Sequence, residues 1–516
     1  MSTAQRLISG TAISWLQIGV TIVSQLALVP VMLTYWSVEA YGVWLAVTAI
    51  ISLVSLVDLG HHDFLMYEFM RIGRNDPTQL SRYLWSGLLF SLLISTVQTL
   101  AVALLLATDT LSVLFDSVKL ANPGLLHEGG VTLLVFSIGW GLTNSLSGLM
   151  TKVLLPFGYY PRMAWWGLGL SIFFVVTIIA SVVLGASLQL TAVITTGANV
   201  LFTGLIYLDL FRLLRREGIT YTPPSLGLGY HNFVRSLAVS GKSGLENLRQ
   251  QGIRLFLPAL VGTTGLATFS TLRTGSNLAL QGLNTIVQPL MPELMRFLHQ
   301  RDQARCEAAF GTIWIIVVGI MAPATVVLQL VVEPLYALWT RGRIPFHPLL
   351  FALLSIGVLV FALIQPGIAV VKGNNLLRPQ VVLSALAAGC VLGGLFGLVP
   401  GMGLVGIGVA LLVAEIVAAV GYQLVARRWL AANGLQWPRQ AYAIVLTSVV
   451  LAAAACLAIV WLPAFRWLTL AGALLGLGAN AWRYWQVLPR LATERALKMA
   501  GEWWRIISRQ PVAEPA

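Results

Sequence analysis

Charge is what this sequence has least of. Only 10% of its 516 residues are Asp, Glu, Lys or Arg, where a water-soluble globular protein carries about 25%. A surface so poor in charge excludes a soluble globular chain, and with it the three or four soluble domains this length would otherwise suggest. Cysteine is scarce too. Cys306, Cys390 and Cys456 stand far apart with no CxxC or Cys/His spacing, which removes a disulfide framework, and no metal or other cofactor is expected. Acidic residues are the rarer sign, and the net charge is +13. The bases do not gather into a patch for nucleic acid; they fall in short loops between apolar runs. No small-residue cleavage site ends the first apolar segment, which therefore reads as a retained first span.

What is present is hydrocarbon. Hydrophobic residues make up 57% of the chain, and the mean hydropathy is +0.83. Windows of about 19 residues place spans at 11–34, 40–60, 83–107, 129–151, 163–185, 188–210, 236–261, 267–292, 309–332, 349–371, 380–399, 403–426, 441–462 and 466–482. The expectation is an all-α polytopic membrane protein of about fourteen spans. Loop charge tests that number, because one missed span would invert every later loop. With the N-terminus inside, 24 of the 32 lysines and arginines fall in cytoplasmic segments. Four fall outside (Lys119, Arg341, Arg343 and Arg466), and four lie within spans. Both termini are thus expected in the cytoplasm.

A weak internal repeat divides the chain. Pro30 precedes Pro258 by 228 residues, and Tyr41 precedes Phe269 by the same offset. Lys152 with Pro161-Arg162 resembles Lys372 with Arg378-Pro379. Spans one and four are thereby paired with seven and ten, as two six-helix lobes require. The expected organisation is an N-terminal lobe at 1–210, a cytoplasmic linker at 211–235, a C-terminal lobe at 236–426, two further spans within 427–482, and an amphipathic, Trp- and Arg-rich tail at 483–516. Gly389, Gly393, Gly397 and Gly401 repeat every four residues and predict a face where helices approach closely.

Ionisable residues inside a bilayer cost about 2.5–3.5 kcal/mol each on the insertion scale, so those present need a reason. Span seven carries Lys242, Glu246 and Arg249 on one face, with Arg254 beside it. Span eight carries Arg273, Asn277, Gln281, Asn284 and Gln288 at helical spacing, a polar stripe that cannot face lipid. One carboxylate leaves the pair of spans net positive. A water-filled cationic cavity follows, suited to an anionic substrate; phosphate fits the planar fork of arginine. The competing use is pairing with carboxylates elsewhere, of which Asp58 and Glu415 are the candidates. Gln17 and Gln25 on span one either line the other wall or bond to neighbouring helices. Asp58, with His61, His62 and Asp63, reads as interfacial polar residues at the end of span two, or else as a proton or cation site. No catalytic residue is expected: no loop holds paired carboxylates or a basic cluster of the size an enzyme such as a membrane glycosyltransferase would need.

The stretch Ser37-Val-Glu-Ala-Tyr41-Gly-Val-Trp44 opening span two, and Leu56-Val-Asp-Leu-Gly60 closing it, resemble bacterial polysaccharide flippases of the Wzx type. These belong to the multidrug/oligosaccharidyl-lipid/polysaccharide (MOP) exporter superfamily. The two lobes, two extra C-terminal helices and positive tail are similar to the same group. The resemblance implies lobes set as an inverted V, and a location in the bacterial inner membrane. It also implies alternating-access transfer of undecaprenyl-diphosphate-linked oligosaccharide units for O-antigen, capsule or exopolysaccharide synthesis. Implied partners are the lipid-linked oligosaccharide, membrane lipids, a proton or sodium counter-ion, and a polysaccharide polymerase with its glycosyltransferases. Asp58, Glu246 and Glu415 are then candidates for ion coupling. A lipid II flippase and a multidrug/cation antiporter of the same superfamily are the alternatives; the second would prefer an acidic or aromatic cavity.

Overall fold

The computed structural model describes the backbone of residues 3–108, 122–374 and 376–489, with 491 and 493; side chains are not described at 3–15 and at parts of 238–252 and 284–293. Every regular element among the described residues is helical. The helices are α1 (Thr3–Tyr35), α2 (Val38–Val54), α3 (Leu56–Ile72), α4 (Pro77–Ala107) and α5 (Pro123–Trp140), which passes through a π turn (Gly141–Ser145) into α6 (Leu146–Val153). They continue with α7 (Tyr160–Val183), α8 (Leu188–Arg216), α9 (Leu226–His299) and α10 (Gln303–Ile316), joined by a second π turn (Val317–Met321) to α11 (Ala322–Trp339). The last are α12 (Pro348–Gly373), α13 (Leu377–Met402), α14 (Leu404–Ala432), α15 (Arg439–Trp461) and α16 (Arg466–Val487).

Short side chains start these helices. Ser37 Oγ accepts from Ala40 N at 3.1 Å, Asp76 Oδ1 from Gln79 N at 2.8 Å and Asp302 Oδ1 from Arg305 N at 3.0 Å, each satisfying an amide that no helical carbonyl can reach. In α9 a single residue, Gly262, leaves helical geometry with φ 74° and ψ 172°. Only glycine takes that conformation without strain, so the kink divides α9 into arms at 226–261 and 263–299.

Each of the fourteen expected spans has its helix. Among the described residues, eleven helices are long and apolar enough to cross a bilayer, and α2 and α3 pass together as a pair bent by 41°. The first arm of α9 and α16 do not pass separately, because the charges in α9 and the Arg466, Arg483 and Asn480 of α16 dilute their apolar runs. Span two also runs further than expected, to Ile72.

By internal contact the chain falls into two units. One comprises Met1–Thr271, Tyr336–Pro345 and Leu395–Leu404; the other comprises Leu272–Leu335, Phe346–Gly394 and Val405–Ala516. In the first, Leu65, Phe69, Leu80, Leu84, Leu149 and Leu210 are fully buried together. Segment 336–345 joins it through Trp339 Nε1, which donates to Leu26 O at 2.8 Å, and Arg343, which donates to Trp36 O at 3.3 Å. In the second unit, Phe310, Trp314, Trp437 and Tyr442 form one aromatic cluster.

The glycine repeat of span eleven does not act as expected. A Cβ at Gly389, Gly393, Gly397 or Gly401 would meet no atom within 4 Å among the described residues. The close approaches lie elsewhere, at single glycines. A Cβ on Gly42 would fall 2.3 Å from Thr263 O, and one on Gly60 would fall 2.0 Å from Ser240 Oγ. A repeat of small residues permits contact without requiring it; shape alone decides whether a neighbour arrives.

Candidate functional site

The candidate residues fall on α1, α2–α3, both arms of α9, and α14. The side chains of Lys242, Glu246, Arg249, Asn284 and Gln288 lie outside the described residues, as does the tail beyond 489. Arg254, on the first arm of α9, is half-buried. Near it in the same unit lies the Tyr41 hydroxyl, which bonds the Thr271 side chain and sits within electrostatic range of both Arg254 and Tyr336. Tyr41 and Tyr336 are each 4% exposed. Arg254 is thus within electrostatic range of one buried phenol, Tyr41, which the span-by-span reading did not connect with it. Tyr41 was legible only as part of a motif, and Tyr336, which follows Pro334 in α11, carried no signal at all.

On the second arm of α9, Arg273, Asn277 and Gln281 recur every four residues and all three are half-buried. The described part of the stripe is thus helical and shares one face, as the spacing requires. Glu415 is half-buried on α14, with Cγ 3.9 Å from where a Cβ on Gly357 of α12 would stand. Gln17 donates to Ala164 O on α7 at 3.3 Å, the helix-to-helix use of that residue. Gln25 is half-buried and is engaged by a neighbour.

Asp58 is buried in protein. It lies one turn past the Ser55 bend between α2 and α3, with no exposed surface, among His61 (0%) and His62 (2%). The indole N–H of Trp140 donates to Asp58 Oδ2 at 3.0 Å. His62 Nε2 stands 3.3 Å from Asp58 Oδ1 and 3.2 Å from Ser91 Oγ. Ser95 Oγ reaches Ser145 Oγ at 2.9 Å, and Ser145 is offered by the π turn after α5. α3 continues helical for fourteen residues past Asp58, to Ile72, and the carboxylate is packed among protein side chains. Nε2 carries at most one proton, so as a donor it serves either Asp58 or Ser91. Trp140 was missed by the sequence reading; an indole inside an apolar span gives no periodic signal. Its ring also walls a cavity of about 240 Å³ shared with Thr48, Ser52, Asn144, Thr196 and Asn199.

At the end of this unit carrying the paired bases, Arg162 grips Asp209 with Nε at 2.9 Å from Oδ2, and Trp166 Nε1 donates to the same oxygen at 2.8 Å. Lys152 pairs with Asp63, and Tyr159 donates to Glu217. Tyr159, outside the spans, has its pKa raised above 10 because the phenol proton is held by the Glu217 carboxylate.

No known family's sequence profile matches the chain, and no curated protein matches it. Solved structures do. The chain is similar to the lipid II flippase MurJ in an inward closed conformation, at TM-score 0.64 and 12% identity, covering 92% of this chain and 99% of that one. It is similar to an inward-facing multidrug resistance MATE transporter of the MOP superfamily, at TM-score 0.59 and 17% identity, covering 84% and 99%. A third likeness, at TM-score 0.52 and 16% identity over 83% and 94%, is to a MOP superfamily transporter from Pyrococcus furiosus whose binding pocket is described as reversed in polarity. The chain is a multi-pass membrane protein with the fold that MOP transporters and flippases use.

Proposed function

We propose that this chain is a flippase that moves undecaprenyl-diphosphate-linked oligosaccharide units across the bacterial inner membrane by alternating access, in polysaccharide synthesis. The observation that carries the reading is the set of half-buried arginines on the two arms of α9, Arg254 beside Tyr41 and Arg273 above Asn277 and Gln281. Guanidinium forks match the oxygens of a diphosphate, and the amides of the second arm offer donors and acceptors to sugar hydroxyls. Lys242, Arg249, Asn284 and Gln288, whose side chains lie outside the described residues, are further candidates from their spacing in the sequence. A cavity of this sign disfavours the cationic drugs a multidrug antiporter carries. The expected orientation has both termini in the cytoplasm, and a polymerase with its glycosyltransferases would act on either side of the transfer.

Coupling to an ion gradient fits Asp58, buried against His62 and Trp140, with a proton as the counter-ion; Glu246 and Glu415 are the remaining carboxylates that could serve. A lipid II flippase is the second reading, supported by the MurJ likeness over 92% of the chain. The test is genetic. Replacing Arg254 and Arg273 together by alanine abolishes surface polysaccharide while the protein still inserts; unchanged polysaccharide would sink the cationic-cavity reading. Rescue of a strain lacking its lipid II flippase, with no effect on polysaccharide, would favour the second reading.

A further inference from the structure

A second basic feature lies in the second unit, well away in sequence from the α9 arginines. The ends of α14, α15 and α16 and the start of α10 enclose a cavity of about 950 Å³, at the upper end of the ~300–1,000 Å³ typical of ligand sites. Arg427, Arg428 and Arg439 line it, and Glu307 is the one carboxylate among the lining residues. That carboxylate is already engaged, because Gln303 Nε2 donates to Glu307 Oε1 at 2.5 Å.

The walls are fixed. Gly434 (φ 75°) ends α14, with Leu435 N bonded to Leu430 O at 2.9 Å, the left-handed stop that releases the chain into a tight turn. Gln303 then clamps that turn from α10: Gln436 N donates to Gln303 Oε1 at 2.8 Å, and Gln303 Nε2 donates to Gln436 O at 3.0 Å. Trp437 is 7% exposed, held between Phe310, Trp314 and Tyr442, and its indole N–H has no acceptor among the described residues. Pro438 opens α15 with no side-chain cap, so the first amides of α15, at Arg439, Gln440 and Ala441, face the same cavity region unsatisfied by a capping group. Three arginines and a helix N-terminus at one cavity favour an anion. Leu424, Val487 and Leu488 supply an apolar wall beside them.

We propose that this cavity binds the phosphate of an anionic phospholipid of the inner leaflet, with the glycerol and first acyl carbons against Leu424, Val487 and Leu488. The loop-charge tally puts Arg427, Arg428 and Arg439 on the cytoplasmic side, where anionic headgroups attract basic residues. An apolar wall continuous with the charged end of the helices suits a lipid better than a free ion. The site stands independently of what the α9 arginines carry.

The experiment is native mass spectrometry of the full-length protein from neutral detergent, with phosphatidylglycerol or phosphatidylcholine added. Wild type retains phosphatidylglycerol preferentially. R427Q/R428Q/R439Q weakens that retention by roughly a hundred-fold, about five-fold per arginine. R212Q/R215Q/R216Q, an equal loss of charge on the end of α8, leaves retention unchanged. Equal weakening by the α8 variant overturns the proposal in favour of general basicity, and unchanged retention in the cavity variant overturns it outright. Stabilisation of wild type by millimolar inorganic phosphate as large as that by phosphatidylglycerol overturns the lipid as the source of the phosphate. A several-fold gain in retention on replacing Glu494, Glu502 and Glu514 by glutamine overturns it too, since the tail carboxylates would then be the occupants.

Discussion

A carboxylate with no exposed surface persists only if its neighbours stabilise it, and Asp58 has an indole donor and an imidazole within reach. Asp58→Asn keeps an oxygen for Trp140 and removes the titration. The variant is expected to insert and fold but to lose dependence of transport on the proton gradient, read as export with and without an uncoupler. Trp140→Phe leaves the carboxylate short of one donor and should cost about 1–3 kcal/mol of stability, read as a fall in the thermal midpoint. At the other extreme of burial, Tyr159 donates to Glu217 near the end of α7. Its raised pKa means that the stabilisation is fully present below the ordinary phenol value near 10 and is lost as pH rises through the higher folded value. Tyr159→Phe should therefore lower the midpoint at neutral pH and make no difference in strong alkali. At this scale the sequence was a partial guide. It marked Asp58, His61 and His62 as a group, but their interior position depends on how far α3 runs, which local composition does not encode.

Among the elements, α9 carries the most consequence in its backbone. Gly262 takes a conformation that costs an L-residue roughly 1–2 kcal/mol, and the start of α2 presses on the next residue, with Gly42 admitting Thr263 O at what would be 2.3 Å from a Cβ. Gly42→Ala should drive the two helices apart and destabilise by about 1–3 kcal/mol, whereas Gly393→Ala, with open space around it, should be neutral or slightly stabilising. Comparing thermal midpoints of these two alanine variants checks the placement of the close contacts. Helix existence was readable from hydropathy. The partners of the small residues were not, because contact is a property of two surfaces and a single-chain pattern reports one. The polar stripe of the second arm was readable for the opposite reason: Arg273, Asn277 and Gln281 repeat every four residues, and a helix turns that spacing into a face whatever surrounds it.

For the whole molecule, loop charge set the number of spans, and hydropathy set their positions. Among the described residues, the first arm of α9 and α16 are the expected spans that fall short of a simple apolar test. Arg254 gained its neighbour Tyr41 only in three dimensions, since 213 positions separate the two in sequence. The measurement that bears most directly on the flippase reading is transfer of an undecaprenyl-diphosphate-linked oligosaccharide by the purified chain in proteoliposomes, read as the fraction of lipid-linked sugar that becomes accessible to a membrane-impermeant glycosidase. Wild type is predicted to expose the sugar well above protein-free vesicles, and R254A/R273A to fall to the protein-free rate with its fold intact by thermal midpoint. Equal transfer by the double variant and wild type would contradict the account.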